Sequence, residues 1–383
     1  MAETTAAAEL TLDKISSETS FATLEEEWDR LVRSRPRPSP YLLHRWLSEW
    51  WSFYGDGGEL AVHVAYRDGR LVGALPLCVL RNRGLRVLSF VGGEGSSLGD
   101  VLVAEDERPE VAAALVERAA SSGQDFADFT GLPADSRLVE LLGPRLRLIE
   151  RSEAPVLDLS PGWEAVYRSK MPSKRRNHHR RRRRQLGEQG RVEVVVARTE
   201  PELEQALEDA FTLHVLRWRG RPDGSGFATP AGRSFNHALV KSLAPLDVPR
   251  IVLLKIDGRP VAFHYYLAFE RTMFVHRIAF DPAFGQFSPG VINTLDAIEA
   301  AAAEGLTRVE FLGGAERYKL ELADRLEPLC QGFGLARTLR GKAAVAGRVA
   351  GIRVRIQLKR SHALRRFYFE GLAPARRFLA RAP

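Results

Sequence analysis

The chain has 383 residues, 45% of them hydrophobic and 27% charged, with a formal net charge of +8. That length suits two domains with cores of their own, and no apolar run reaches the roughly eighteen residues of a membrane span. Its two cysteines, Cys78 and Cys330, sit in apolar strand-like surroundings, which excludes a disulfide framework or a cysteine-rich metal site. The opening residues, Met1 to Leu10, lack a basic stretch followed by an apolar core. No secretory signal is therefore expected, and the expected compartment is cytoplasmic.

In chain order, residues 21–34 and 40–53 read as helices, the second one rich in aromatics (Tyr41, Trp46, Trp50, Trp51, Phe53). The stretch LAVHVAYRDGRLVGALPLCVL alternates, turns at Asp68-Gly69 and alternates again, which predicts a hairpin. RVLSFVGG and DVLVAED are further strands, and Pro109 to Ser121 reads as a helix with proline near its start. DFADFTGLP is a strand closed by a glycine turn, followed by a short helix near 136–142 and an extended segment, RLRLIERSEAPVLDL. The second half repeats this order. Residues 173–186 predict a helix with Ser173 as N-cap and Gly187 or Gly190 as the stop. RVEVVVA is a strand, 200–217 and 230–243 are helices, and RIVLLKIDGRPVAFHYYLAFE is strand, Asp-Gly turn, strand. TMFVHRIAF, a helix ending at Gly305, and TRVEFLGG complete the set.

The two Asp-Gly-Arg turns, at 68–70 and 257–259, align their flanking strands, and DFTGLP aligns with EFLGGA. Two copies of one α/β unit account for this; two unrelated α/β domains sharing a common hairpin are the alternative.

The positive charge is concentrated. Residues 174–184, KRRNHHRRRRR, hold eight Lys/Arg and no acid, and residues 340–383 hold twelve Lys/Arg and one acid, Glu370, leaving the rest of the chain acidic. The first run is charged all round. It fits a solvated helix, the attraction of an anionic or polyphosphate-linked substrate, or tRNA, although no stacking aromatics interleave with it. The tail mixes Val, Ile, Leu and Phe with Arg and Lys. It fits a cationic amphipathic helix on an anionic membrane surface, a helix packed on the acidic body, or disorder.

The helix after Gln286-Phe287 begins Ser288-Pro289-Gly290-Val291. A helix start leaves four backbone N–H groups unpartnered and carries about half a positive charge, which suits an anion. Ser288 could cap or donate, Pro289 fits the first turn, and Gly290 would let a phosphate approach the backbone. A plain capped helix docked on the sheet through Val291, Ile292, Leu295 and Ile298 is the alternative. Around that helix stand Asp281, Glu310, Glu316, Tyr318 and Lys319. General acid–base chemistry needs a proton acceptor and a proton donor within reach of one substrate. These residues offer Glu310 or Asp281 as base, Tyr318 as acid, and Lys319 beside a phosphate or oxyanion. His264 and His276 lie on adjacent predicted strands. Either could be the base or touch substrate if its face meets a cleft, and a satisfied core histidine is the alternative. Strand parity places His264 with Tyr266, and His276 with Phe274 and Ile278. No set of His, Cys, Asp and Glu has metal spacing, so no metal is expected, and there is no Gly-x-Ser-x-Gly elbow.

The order helix, helix, hairpin, helix, strand resembles the GNAT acyltransferase fold. HRIAFDPAFGQFSPGVINTLDAIEAAAAEGLTRVEFLGGAERYK resembles the CelD/BcsL group of GNAT proteins, related to FemAB-type aminoacyltransferases with two GNAT-like halves. The carrying residues are Asp281-Pro282, Ser288-Pro289-Gly290, Glu310-Phe311, Gly313-Gly314 and Tyr318-Lys319, and MPSKRRNHHRRRRRQL resembles that group's basic opening helix. The likeness is specific over 165–330 and one of layout before it. Two features depart from the pattern: Glu310 stands where the family more often has Asp, and the loop before the helix is not Gln/Arg-x-x-Gly-x-Gly/Ala.

The resemblance implies a mixed α/β protein, with an N-terminal GNAT-like lobe at 1–155, an acyltransferase lobe at 156–340, a basic tail at 341–383, and a cleft between the lobes. It implies acyl-CoA as co-substrate, acetyl-CoA first, with its pyrophosphate at Ser288–Val291. The acceptor would be an amine or hydroxyl on a sugar, envelope precursor or small metabolite, with His264, Glu316 and Arg175 touching substrate. The rivals are a FemAB-like aminoacyl-tRNA-dependent transferase and a non-catalytic part of a polysaccharide-synthesis assembly. The expected location is cytoplasmic, or peripheral at the inner membrane face.

Overall fold

The computed structural model describes residues 9–93, 97–219, 226–314 and 316–360. The strands are β1 (Leu10–Ile15), β2 (Glu59–Leu60), β3 (Val62–Arg67), β4 (Arg70–Leu75), β5 (Leu77–Asn82), β6 (Leu85–Phe90), β7 (Leu102–Val103) and β8 (Phe126–Pro133), then β9 (Leu146–Asp158), β10 (Val192–Ala197), β11 (Pro249–Ile256), β12 (Arg259–Phe269), β13 (Thr272–Phe280), β14 (Arg308–Glu310) and β15 (Arg325–Gly334). The helices are α1 (Glu18–Ala22), α2 (Glu25–Arg33), α3 (His44–Tyr54), α4 (Glu110–Ala119), α5 (Arg137–Leu142), α6 (Trp163–Lys170), α7 (Ser173–Gly187), α8 (Glu200–Trp218), α9 (Pro230–Leu243), α10 (Pro289–Ala303), α11 (Arg317–Leu322) and α12 (Leu339–Arg360).

Both predicted hairpins form. Asp68 and Gly69, and Asp257 and Gly258, all take positive φ, the backbone that a two-residue hairpin turn requires. After the first turn the copies diverge. β12 runs unbroken for 11 residues, whereas Pro76 divides the matching segment into β4 and β5. Proline has no N–H for the ladder, so the chain changes sheet there. β4 joins a four-stranded sheet, β1-β3-β4-β7, and β5 joins an eleven-stranded one, β10-β11-β12-β13-β14-β9-β15-β8-β6-β5-β2. The large sheet therefore runs through both halves. β9 and β15 form its middle, with β15 lying between β9 and β8 although it follows β14 in sequence.

Local sequence explains the helix ends. Thr199 and Glu202 form a capping box on α8, and Thr229 caps α9 by accepting from the Gly232 amide at 3.2 Å. α7 begins after Pro172, which makes no side-chain cap, so Ser173 lies inside the helix and is not its N-cap. Only Leu186 of α7 is buried, as a helix charged all round requires. One apolar cluster joins the halves, running from Trp28 and Trp46 to Phe211, Phe235 and Tyr265. α12 covers residues 339–360 and docks on the body through Val345 and Val349, with Arg348 donating to Asp128 at 2.6 Å. The rest of the expected tail, 361–383, lies outside the described residues. Among the described residues no helix is long and apolar enough to cross a membrane.

Candidate active site

β13 and β14 run parallel, pairing Thr272 to Phe274 with Arg308 to Glu310, and then part. Beyond Phe274 the edge of β13 is released from β14, and a cleft of about 430 Å³ opens there. Its walls are Val275–Ile278 of β13, Phe311–Gly313 after β14, and Tyr41, Thr130 and Gly131 from the N-terminal half. Glu316 and Lys319 complete one side.

A bulge sets what β13 offers to this cleft. Tyr265 pairs with Arg277 but Tyr266 pairs with Val275, leaving His276 as the extra residue. An extra residue breaks strict alternation and re-aims side chains. His276 meets Tyr41, Trp46 and Tyr265, with the Tyr265 ring 5.0 Å away, and Tyr41 lies 6.3 Å from Phe274. Ile278 instead packs with Val275 and Tyr266, so the parity expectation holds for Phe274 and fails for Ile278. Tyr41 Oη lies 3.4 Å from His276 Nδ1. Burial, with the Arg277 charge behind it, pushes His276 well below the usual imidazole range, so it is neutral at pH 7. Arg277 was not singled out by sequence; its signal is a cation inside the apolar run Phe274 to Phe280.

Lys319 organises the opposite wall. The residue is 5% exposed, and its ammonium donates to Glu316 at 2.9 Å and to the Gly313 carbonyl at 3.3 Å. The loop wraps around it: Leu312 and Gly314 take positive φ, and a Cβ on Gly314 would meet the Glu316 carboxylate at 2.7 Å.

Several expected site residues are placed elsewhere. Glu310 is fully buried and accepts from Arg37 Nε at 3.0 Å, Arg37 Nη2 at 2.7 Å and Arg308 Nε at 2.8 Å. Glu327 joins the same two arginines. Glu310 is thus a charged pin between the halves, with its oxygens committed, and not a free base. Asp281 also has both oxygens engaged, one accepting from Arg259 at 2.6 Å and the other capping the turn at the Ala283 amide at 2.9 Å. The Tyr318 hydroxyl is turned into the protein beside Thr294 of α10, and burial raises its pKa; it does not reach the cleft. His264 is fully buried near Tyr266, and burial with the Lys319 charge lowers its pKa to about 3, so it touches no substrate. Arg175 pairs with Glu321 and lines a separate groove of about 530 Å³ with Lys174, Asn177, His178, Arg181 and Arg317.

The start of α10 is less bare than expected. Ser288 takes a left-handed backbone, φ 57°, and its side chain forms no cap. Pro289 has no N–H, and the Val291 and Ile292 amides both donate to the Ser288 carbonyl, leaving Gly290 as the free amide. A Cβ on Gly290 would meet the Phe280 ring at 2.8 Å. Close packing on β13 is therefore a sufficient reason for glycine here.

Residues 173–320 match the acetyltransferase (GNAT) domain family. FemX shares the fold at 13% identity and a TM-score of 0.58, over 84% of this chain and 96% of its own. A tandem GNAT protein from the clavulanic acid biosynthesis pathway aligns at 12% identity and a TM-score of 0.50, over 86% of this chain and all of its own. A conserved protein of unknown function from Bacteroides thetaiotaomicron aligns at 16% identity and a TM-score of 0.57, over 84% and 100%. No curated protein matches the chain in sequence. The protein has the double-GNAT fold that FemX and the tandem GNAT protein share, and residues 173–320 are the part that matches an acetyltransferase family model.

Proposed function

We propose that this acyltransferase moves an acyl group from acyl-CoA, acetyl-CoA first, to an amine of a small or sugar-linked acceptor in the cleft where β13 and β14 part. The parting carries this reading. It frees strand-edge N–H and C=O groups that suit the extended, amide-bearing arm of an acyl-CoA, as an added strand would be held. His276, neutral and at the cleft wall, takes the amine proton, with the Tyr41 hydroxyl beside its Nδ1. The amine nitrogen forms its bond to the thioester carbon as the C–S bond breaks. The thiolate leaves without a strong acid, because a thiol's ordinary pKa is about 8.5. A hydroxyl acceptor would need the same base. For the pyrophosphate, Ser288 and the Gly290 amide offer a smaller seat than four bare amides would.

A FemAB-like use of aminoacyl-tRNA is favoured by one observation, the groove along α7 whose walls carry Lys174, Arg175, Arg181 and Arg317. Calorimetry with acetyl-CoA, a longer acyl-CoA and charged tRNA, at two salt concentrations, separates the readings. The main one expects heat with a CoA thioester. Salt-sensitive tRNA binding with no heat from any CoA would replace it.

A further inference from the structure

Among the described residues Arg277 is the cation of the cleft wall that has a buried guanidinium nitrogen without a partner and no carboxylate to neutralise it; Arg151, on the same wall, is exposed to solvent. Lys319 has Glu316, and Arg37 and Arg308 share Glu310 and Glu327. Among the described residues no carboxylate lies within ion-pair distance of Arg277. Its one hydrogen bond runs from Nη1 to the carbonyl of its neighbour His276, at 2.8 Å. Its Nε is buried without a partner, and so is the hydroxyl of Tyr265, the residue it pairs with across the ladder. Burial lowers its pKa, opposed by Tyr41, Tyr265 and Tyr54 beside it. Two buried donors side by side, one cationic, both without an acceptor, are a costly arrangement unless an acceptor arrives with the ligand. The guanidinium fork matches a planar anion with two oxygens. Both β13 side chains at the bulge line the same cleft, so an anion on Arg277 would place the rest of its molecule beside His276.

We propose that Arg277 is the specificity-determining seat for a carboxylate on the acceptor, so that the acceptor is a carboxylate-bearing amine of amino-acid type. The amine is then acylated next to His276 while the carboxylate holds the molecule in register. This rests on the cleft being the acceptor site of the acyltransferase, as proposed above.

The test uses the full-length protein and ligand-observed NMR without any donor. The probes are the common α-amino acids, the matching α-amides, which lack the negative charge, and O-phosphoethanolamine, which carries a phosphate in place of the carboxylate. At least one acid should show saturation transfer at least tenfold stronger than its amide, and Arg277→Gln should abolish it. Arg277→Lys should restore it in part, keeping charge without the fork. Equal signals from acid and amide, no acid binding, phosphoethanolamine binding in place of every acid, or acid selectivity surviving in Arg277→Gln would each overturn the proposal. The first comparison needs no variant, so a folding defect in Arg277→Gln leaves it decisive. Acetyl-CoA titrated in parallel keeps the readings apart. Donor binding without acid selectivity removes the Arg277 seat alone. Acid selectivity without donor binding keeps the seat and removes the acyl-CoA reading.

Discussion

Each half of the molecule contains a parallel pair of strands that separates, and the two separations have different contents. In the N-terminal half β6 and β8 pair at Val87–Phe126 and Leu88–Ala127 and then part. Two residues further on stand Phe90 and Phe129, ring to ring at 5.2 Å, and a Cβ on Gly99 would meet Phe90 at 2.9 Å. In the C-terminal half β13 and β14 part after Phe274 and Glu310, and two residues further on stand His276 and Leu312 at an open cleft. The same topology is filled with apolar rings in one copy and kept open with a histidine and an arginine on its wall in the other. The filled copy still contributes a wall, through Tyr41, Thr130 and Gly131. A strand pair that opens is thus a scaffold; its chemistry depends on which side chains stand just past the last pairing.

The comparison breaks most readily at the two positions past the pairings. His276→Ala should lower turnover by about 10²–10⁴-fold in a thiol-release assay, while Phe90→Leu, at the matching place in the filled copy, should leave turnover unchanged. Equal losses from both would mean that His276 acts through packing. Next in size is the pin between the halves. Glu310→Ala removes the fully buried partner of Arg37 and Arg308 and leaves Glu327 alone to balance both, which should cost about 3 kcal/mol in denaturant unfolding. A catalytic Glu310 would instead leave stability intact and remove activity.

The start of α10 gives a smaller effect. Gly290→Ala should destabilise by about 1–3 kcal/mol through contact with Phe280, and Phe280→Leu in the same chain should recover part of that. A change in acetyl-CoA affinity at unaltered stability would restore the phosphate explanation for the glycine. The smallest effect is on pH dependence. Burial lowers His264 to about 3 and His63 and His214 to about 4, so the unfolded chain takes up protons first as pH falls. Their contribution is full above the unfolded value of about 6.5 and declines as pH drops toward those folded values. His264→Phe should reduce the stability lost between pH 7 and pH 5 by about 1–2 kcal/mol.

Most elements were legible because their signals are local. Asp68-Gly69 and Asp257-Gly258 mark turns by backbone need alone, and Thr199 with Glu202 marks the start of α8. The exchange of sheets at Pro76 and the placement of β15 between β8 and β9 were not legible, because strand order depends on long-range pairing. The site was half legible for the same reason. His276, Glu316 and Lys319 do line the cleft. Glu310 and Asp281 looked like bases because a lone carboxylate in sequence carries no sign of its partner; Arg37 is 273 residues from Glu310. Arg277 was missed because period-two alternation was assumed through a strand that contains a bulge.

Hydrogen–deuterium exchange of the intact protein with and without saturating acetyl-CoA tests the central claim most directly. Protection should appear in peptides covering residues 275–280 and 311–314, with none in those covering 87–93 and 128–132. Protection confined to the N-terminal strand pair, or donor binding that leaves 275–280 unchanged, would contradict the assignment of the open parting as the acyl-donor site.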